Sequence, residues 1–371
     1  MKKLISLLCA AAMTLSLAAC SGGQNTTTAA QTTEAKTEAP ATTQAPTTAA
    51  PTEAPTTAAP TEAPTEAPTT EAPTEAPTEA PTEADTTKAA GEPPIKGIDA
   101  DNWPWIDGST ANHPLLARIY REICGVDKET SETMVSFNLN STGSIWEAML
   151  TDKEGEYTPD LWIVYEAPED VKERYKDDFE YYEIEPLGRD GLVFMVNVNN
   201  TVDDLSVQQL YDIYTGKLTD WSEVGGEPGE IKPFQRNEDS GSQTLFMKLL
   251  MKGDQPMEPP TELKVGTMGG LIDQVAAFDG SGSAIGYSVY YYANLMHSNP
   301  ALKLISVDGV EPTNKSIESA EYPLTNDFYV VIRKSEPADS PVRALRDWLL
   351  SPAGRAILED ENYVWAREGL D

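Results

Sequence analysis

Three short stretches of this 371-residue chain carry hydroxyl side chains beside a small residue, just ahead of a helical pattern. Gly108-Ser109-Thr110-Ala111 precedes a run that begins at Pro114, and Asn140-Ser141-Thr142-Gly143-Ser144 precedes one carrying Ile145, Met149 and Leu150. Asp239-Ser240-Gly241-Ser242-Gln243 precedes one carrying Leu245, Phe246, Leu249 and Leu250. Backbone N–H groups at a helix start have no partner inside the helix, and the positive end of the dipole lies there, so such loops favour an anion. Arg236 stands four residues before Ser240 and can add a two-pronged cationic donor suited to a tetrahedral oxyanion. Ser and Thr are also the commonest helix N-caps, so any one loop is explained by capping alone. Three loops and an arginine together point to anion binding. Spacing alone does not show that they converge.

Turnover needs more than this. The only histidines are His113 and His297, and neither Ser240 nor Ser281 stands in a Gly-x-Ser-x-Gly elbow. His113 abuts Pro114 and reads as a solvated neighbour of its loop. Gly280-Ser281-Gly282-Ser283-Ala284-Ile285-Gly286 misses the Gly-x-Gly-x-x-Gly spacing by one residue and reads as a turn before the packed Tyr290-Tyr291-Tyr292. No His/Cys cluster has metal-ligand spacing. The expectation is a binding protein with no catalytic residue, no cofactor and no metal.

The elements that position these loops alternate in type. Leu161 to Tyr165, Leu192 to Val196 and Phe328 to Ile332 are continuous apolar runs that read as strands buried on both faces. Between them lie amphipathic helices with marked ends. Pro114 to Cys124 puts Leu115, Leu116, Ile119 and Ile123 on one face and stops at Gly125. Ser206-Val207-Gln208-Gln209 is a capping box, and Ser340-Pro341 and Ser351-Pro352 each set a hydroxyl cap before a first-turn proline. Strands separated by helices argue for an α/β fold with mainly parallel sheets, with ligands at the carboxyl ends of strands.

The beginning of the chain reads differently. Met1-Lys2-Lys3, the apolar run Leu4 to Leu17 and Leu17-Ala18-Ala19-Cys20 have the form of a signal peptide over residues 1–19, and the last four residues resemble a bacterial lipobox with Cys20 as the acylated residue. The run is too short to span a bilayer, so acyl chains on Cys20 would be the membrane attachment. Processing would leave Cys124 as a lone thiol, so no disulfide framework is available. Residues 24–92 are almost wholly Thr, Ala, Pro and Glu, without a Leu, Ile, Val or aromatic residue, and cannot form a core. Residues 20–92 therefore read as a lipidated, disordered tether, stretched by Pro and by repelling Glu to about 200 Å at roughly 3.1 Å per residue. Residues 93–371 remain to fold. The formal charge of −33 argues against nucleic acid as a partner.

Arg236-Asn237-Glu238-Asp239-Ser240-Gly241-Ser242 resembles the Arg-x-Asp-x-Ser-Gly-Thr signature of the PstS-type phosphate-binding proteins of ABC importers. Asp107 to Leu115 resembles that family's first anion loop and Asn140 to Gly143 its second. Asp212 to Lys217 with Asp220-Trp221, Ala284 to Tyr287, and Tyr322 to Leu324 with Phe328 to Ile332 are similar to its framework segments. The resemblance implies a two-lobed periplasmic-binding-protein-like (type II) fold with a discontinuous first lobe: about 95–187 and 321–371 in lobe I, about 188–320 in lobe II. It implies Ser109, Thr110, the Ala111 amide, Ser141, Thr142, Arg236, Ser240, Gly241 and Ser242 as ligand contacts. Glu238 matches the carboxylate that braces the Arg, and Glu166 the one that accepts from a protonated phosphate oxygen. By the same resemblance the chain is a lipid-anchored, extracytoplasmic carrier of inorganic phosphate for an ABC permease. The alternatives are another oxyanion (sulfate, molybdate or tungstate), or a sensor or surface interaction module on the same fold.

Overall fold

The computed structural model describes residues 94–135, 141–278 and 283–366. The tether, Cys20 and Asn140 lie outside these residues, as does most of the turn expected over 280–283. The centre of the fold is an eight-stranded sheet. Ile106–Gly108 pairs in parallel with Leu161–Val164, which runs antiparallel to Thr325–Arg333. Thr325–Arg333 in turn lies antiparallel to the first part of a 16-residue strand, Tyr182–Asn197, as far as Gly191. From Leu192 that strand exchanges partners and pairs antiparallel with Ala284–Val289 and Leu302–Leu304. Ala284–Val289 pairs in parallel with Lys232–Pro233. Two small parallel sheets join Gln235–Arg236 to Lys264–Val265 and Asp204–Leu205 to Ser306–Val307.

The α/β fold is therefore built from two kinds of pairing. Parallel pairs occur where a strand feeds a loop and helix, as the alternation of strands and helices implies. The antiparallel pairs all involve Tyr182–Asn197 or Thr325–Arg333, the two long strands that tie the sheet together. The exchange of partners at Leu192 and the return at Leu324, whose carbonyl accepts from the Leu192 amide at 2.8 Å, fall a few residues beyond the crossing points expected near 187 and 321.

Both faces of the sheet are covered, which is why its strands are apolar without alternation. Along Leu161–Val164, Leu161 and Ile163 enter one core cluster, while Trp162 and Val164 enter another with Ile145, Trp146 and Met149. The helix ends obey the expected chemistry. Helix His113–Cys124 buries Leu115, Leu116, Ile119 and Ile123 and stops at Gly125, where φ is +65°. Ser206 and Gln209 form the capping box, and Ser340 and Ser351 cap helices that begin with proline.

Asp190 sits beside the point of exchange, fully buried. It accepts from the Tyr165 hydroxyl at 2.6 Å, the Gly191 amide at 2.7 Å and the Tyr291 amide at 3.2 Å. Burial outweighs these bonds and pushes its carboxyl up from 3.8 to about 6. A carboxyl that holds its proton more tightly when folded contributes stability that is fully present below about 4 and is lost as pH rises through about 6. Asp190→Asn removes this titration, while Asp107, raised to about 7 by burial, is common to both proteins. Relative to the native chain, the variant should gain unfolding free energy in urea as pH rises from 4 to 6. A difference that stays flat over that range would show that Asp190 does not titrate there.

Candidate anion site

Two of the three hydroxyl loops meet the arginine loop. The Ser109 and Thr142 hydroxyls lie 2.9 Å apart, and Ser109 Oγ also accepts from the Tyr165 amide at 3.2 Å. Against them sits the loop before helix Gly241–Leu245. The Gly143 amide donates to the Asp239 carbonyl at 3.1 Å, so the start of helix Thr142–Thr151 is bonded to that loop. The approach is closest at Gly241. A Cβ there would stand 2.5 Å from Thr142 Oγ1, so glycine is what lets these two backbones come together. Ser240 Oγ and Ser242 Oγ are 3.0 Å apart, and both residues are buried with Ser109 and Thr142.

Arg236 completes the cluster. Its strand, Gln235–Arg236, pairs with Lys264–Val265 and aims the side chain along that neighbour. Nε donates to the Val265 carbonyl at 3.1 Å, Nη2 to the Gly266 carbonyl at 3.3 Å and Nη1 to Ser242 Oγ at 3.3 Å. Three of its five N–H groups are thereby engaged. Among the described residues no carboxylate pairs with it, although it is only 6% exposed. Burial pulls its pKa down to about 10, so it remains a cation at neutral pH. A buried cation among hydroxyls and helix starts, without a carboxylate partner among the described residues, has the chemistry to receive an anion.

The aromatic layer beneath fixes the loop. Phe246, one turn on from Ser242, stacks on Tyr287 at 4.5 Å and packs edge-on to Tyr214 at 4.8 Å. The Tyr287 hydroxyl donates to Gln243 Oε1 and accepts from the Arg236 amide at 3.1 Å. Strand Ala284–Val289 thus holds both ends of the Arg236–Ser242 segment.

Known proteins resemble this chain in sequence and in fold. The PBP superfamily domain matches residues 174–353. The phosphate-binding protein PstS of Bacillus subtilis is 31% identical over 175 residues, which is 47% of this chain and 54% of that protein. PstS of Staphylococcus saprophyticus is 24% identical over 262 residues, covering 69% of this chain and 75% of that protein. A Clostridium perfringens protein assigned to phosphate ABC transport as a substrate-binding protein, solved with bound phosphate, superposes with a TM-score of 0.55 at 25% identity over 71% of this chain and 98% of its own. The chain is similar to the PBP superfamily domain and to PstS-type phosphate-binding proteins. An ABC-type phosphate transport receptor from Vibrio cholerae, 24% identical with a TM-score of 0.52 over 70% of this chain and 99% of its own, has the same fold. The PstS-type proteins are binding proteins and not enzymes.

Against the residues expected from the PstS-type signature, the structure draws distinctions. Ser109, Thr142, Arg236, Ser240, Gly241 and Ser242 come together. Ala111 is fully buried beside them, with its carbonyl accepting from the Tyr363 hydroxyl at 2.7 Å, while the Thr110 side chain is exposed. Ser141 caps its own helix, accepting from the Ser144 amide at 3.4 Å, so capping occupies its hydroxyl. Glu238 is exposed and does not brace Arg236; the carbonyls of Val265 and Gly266 do so instead. Carbonyls carry no sequence signal, which is why the carboxylate looked the better candidate. Glu166 also departs from expectation. Its Oε1 accepts from Lys172 at 2.5 Å and its Oε2 from Lys248, so two lysines engage the carboxylate. Despite desolvation that opposes it, they hold its pKa below the usual range. Gln243, Tyr165 and Tyr287 support the site without having been expected there. Each lay in a segment singled out in the sequence: Gln243 in the loop Asp239 to Gln243, Tyr165 at the end of the run Leu161 to Tyr165, and Tyr287 in the framework segment Ala284-Ile285-Gly286-Tyr287.

Gly241→Ala tests the close approach. The added methyl must displace Thr142 Oγ1 and break its bond to Ser109, an overpacking cost of about 1–3 kcal/mol. Urea unfolding should show a loss of that size, and Gly241→Ala with Thr142→Ala should recover part of it. Wild-type stability in the single variant would mean that the two loops are not in contact.

Proposed function

We propose that this chain captures inorganic phosphate between the Ser109 and Thr142 loops on one side and the Arg236–Ser242 loop on the other, and releases it to the permease of an ABC importer. The observation that carries the reading is Arg236, a buried cation without a carboxylate partner among the described residues, bonded to the Ser242 hydroxyl in a loop that packs against Thr142 and, through it, Ser109. An arriving oxyanion supplies the missing counter-charge and accepts from the guanidinium, from the exposed Thr110, from Ser141, whose O–H can donate while its oxygen caps the helix, from the buried Ala111 amide and from the buried hydroxyls. The two lobes are taken as about 95–187 with 321–371 and about 188–320. The partner exchange along Tyr182–Asn197 supports that division, because each part of the strand belongs to a different set of neighbours.

The same reading places the protein outside the cytoplasm, with residues 1–19 as a signal peptide, Cys20 lipidated, and residues 20–92 as the tether to the membrane. Leu17-Ala18-Ala19-Cys20 supports it. Among the described residues no helix is long and apolar enough to cross a membrane. A second reading, capture of sulfate, molybdate or tungstate, is favoured by one observation. The lysines hold Glu166, so the carboxylate expected to require a protonated ligand is already paired.

Thermal unfolding of the full chain should move upward with millimolar phosphate, since a ligand that binds only the folded state stabilises it by mass action. No shift with phosphate, sulfate, molybdate or tungstate would overturn the anion reading, and a shift with one of the others alone would name the ligand. Arg236→Ala should cost on the order of 2–5 kcal/mol of binding free energy by calorimetry. Arg236→Lys should restore only part, because an ammonium cannot present two parallel donors. Undiminished phosphate affinity in Arg236→Ala would remove Arg236 from the site.

A further inference from the structure

Glu166 and Lys248 meet although they belong to opposite sides of the site. Glu166 follows strand Leu161–Val164 and is adjacent to Tyr165, whose amide bonds Ser109. Lys248 lies in the π-helical segment Phe246–Met251, which continues the helix that starts at the Ser240–Ser242 loop. Its ammonium donates to Glu166 Oε2 and to Asn326 Oδ1, the latter at 2.7 Å, and Asn326 lies opposite Asp190 on the neighbouring strand. Lys172 holds the other oxygen of Glu166, and also donates to Glu169 at 2.7 Å. The Glu166 side chain is 16% exposed and that of Lys248 36%, so the pair is partly shielded from water.

We propose that the Glu166–Lys248 ion pair is a latch across the anion cleft: it holds the arginine loop against the Ser109 and Thr142 loops and sets how fast the ligand leaves, with Glu166 taking no part in choosing the ligand. The inference rests on the cleft being the anion site. Both carboxylate oxygens already accept from ammonium groups, so the charge of Glu166 is countered and no longer requires a protonated ligand oxygen. The pair instead joins segments whose other direct bonds nearby are Gly143 N–H to the Asp239 carbonyl and the Lys248 ammonium to Asn326 Oδ1. Lys248 thus adds two side-chain tethers to the backbone one, and losing its ion pair with Glu166 loosens the closed arrangement. Lys172 orients Glu166 and does not itself cross, since it lies in helix Glu169–Arg174 on the same side.

Two measurements on the full chain test this. The first uses no ligand: deuterium exchange of the amides of 142–150 and 239–243 in the native chain, in Glu166→Gln and in Lys248→Met. Faster exchange in both variants supports the latch, and unchanged exchange overturns it whatever the protein binds. The second follows release of labelled phosphate after dilution, with sulfate as competitor. Each variant should release phosphate about tenfold faster, as for loss of one partner of a shielded charge pair, with an unchanged ratio of phosphate to sulfate affinity. Combining Glu166→Lys with Lys248→Glu should slow release again relative to either single change, which a merely misfolded site would not do. A ratio that moves tenfold in Glu166→Gln places Glu166 on the ligand and overturns the proposal. If the native chain retains no phosphate, the function proposed above fails, and the exchange measurement still decides the latch.

Discussion

A guanidinium taken out of water with no carboxylate beside it costs several kcal/mol, and the construction around Arg236 can be read as the means of sustaining that cost. Two carbonyls from the strand end and turn at Val265-Gly266 disperse part of the charge, and the short parallel pairing of Gln235–Arg236 with Lys264–Val265 keeps them in reach. The stack of Phe246 on Tyr287 prevents the loop from retreating toward solvent, where the arginine would be more comfortable and the site lost. Replacing the carbonyls with a carboxylate would stabilise the empty protein and compete with the ligand. Neutral acceptors leave the net charge for the anion.

Tyr165 carries this local arrangement into the rest of the fold. Its hydroxyl bonds Asp190, its amide bonds the Ser109 hydroxyl, and its carbonyl accepts from Trp146 Nε1 at 2.9 Å. Asp190 also accepts from the Tyr291 amide, beyond the strand that supports Arg236. One buried carboxylate therefore touches elements that position both faces of the cleft, at the residue next to the strand's change of partners. Tyr363, stacked on Tyr291 at 3.6 Å and bonded to the Ala111 carbonyl, closes the same circuit through the C-terminal part of the chain. A change in the geometry of the exchange point is thus felt at Ser109 without an intervening flexible segment.

Much of this was legible in residue types. Strands buried on both faces are visible as continuous apolar runs, and Leu161 to Val164 shows why: adjacent residues enter different cores. Helix starts were readable because a hydroxyl cap is a local interaction between residues three apart. The Arg-to-Ser-Gly-Ser segment was legible as a capped helix start for the same reason. What could not be read was any pairing across the sheet. Antiparallel contacts of the long strands depend on where the chain returns, and no local pattern encodes that. Glu238 and Glu166 were misplaced for one cause: a carboxylate near an arginine or a cleft in sequence looks like its partner, whereas Val265, Gly266, Lys172 and Lys248 reach those groups only in three dimensions. Asn140 and Cys20 lie outside the described residues, and their expected roles stand on sequence alone.

An overall charge of −33 is a strange setting for an anion receptor, and the distances resolve it. Ten Glu and one Asp against two Lys lie in residues 24–92, outside the described residues. At physiological salt a surface charge acts over a Debye length of about 8 Å, so these carboxylates slow the approach of an anion and contribute little once it has arrived. Inside the cleft the ledger differs. There Arg236 stands bonded to the Ser242 hydroxyl, and Glu166, adjacent to Tyr165, is paired with Lys172 and Lys248. Glu238 and Asp239 are exposed at the rim, where water screens them. Coulomb energy rises as distance and dielectric fall together, so a single buried cation at contact outweighs many screened anions at a distance. On the proposed reading the acidic surface and the buried arginine act on the ligand over different ranges.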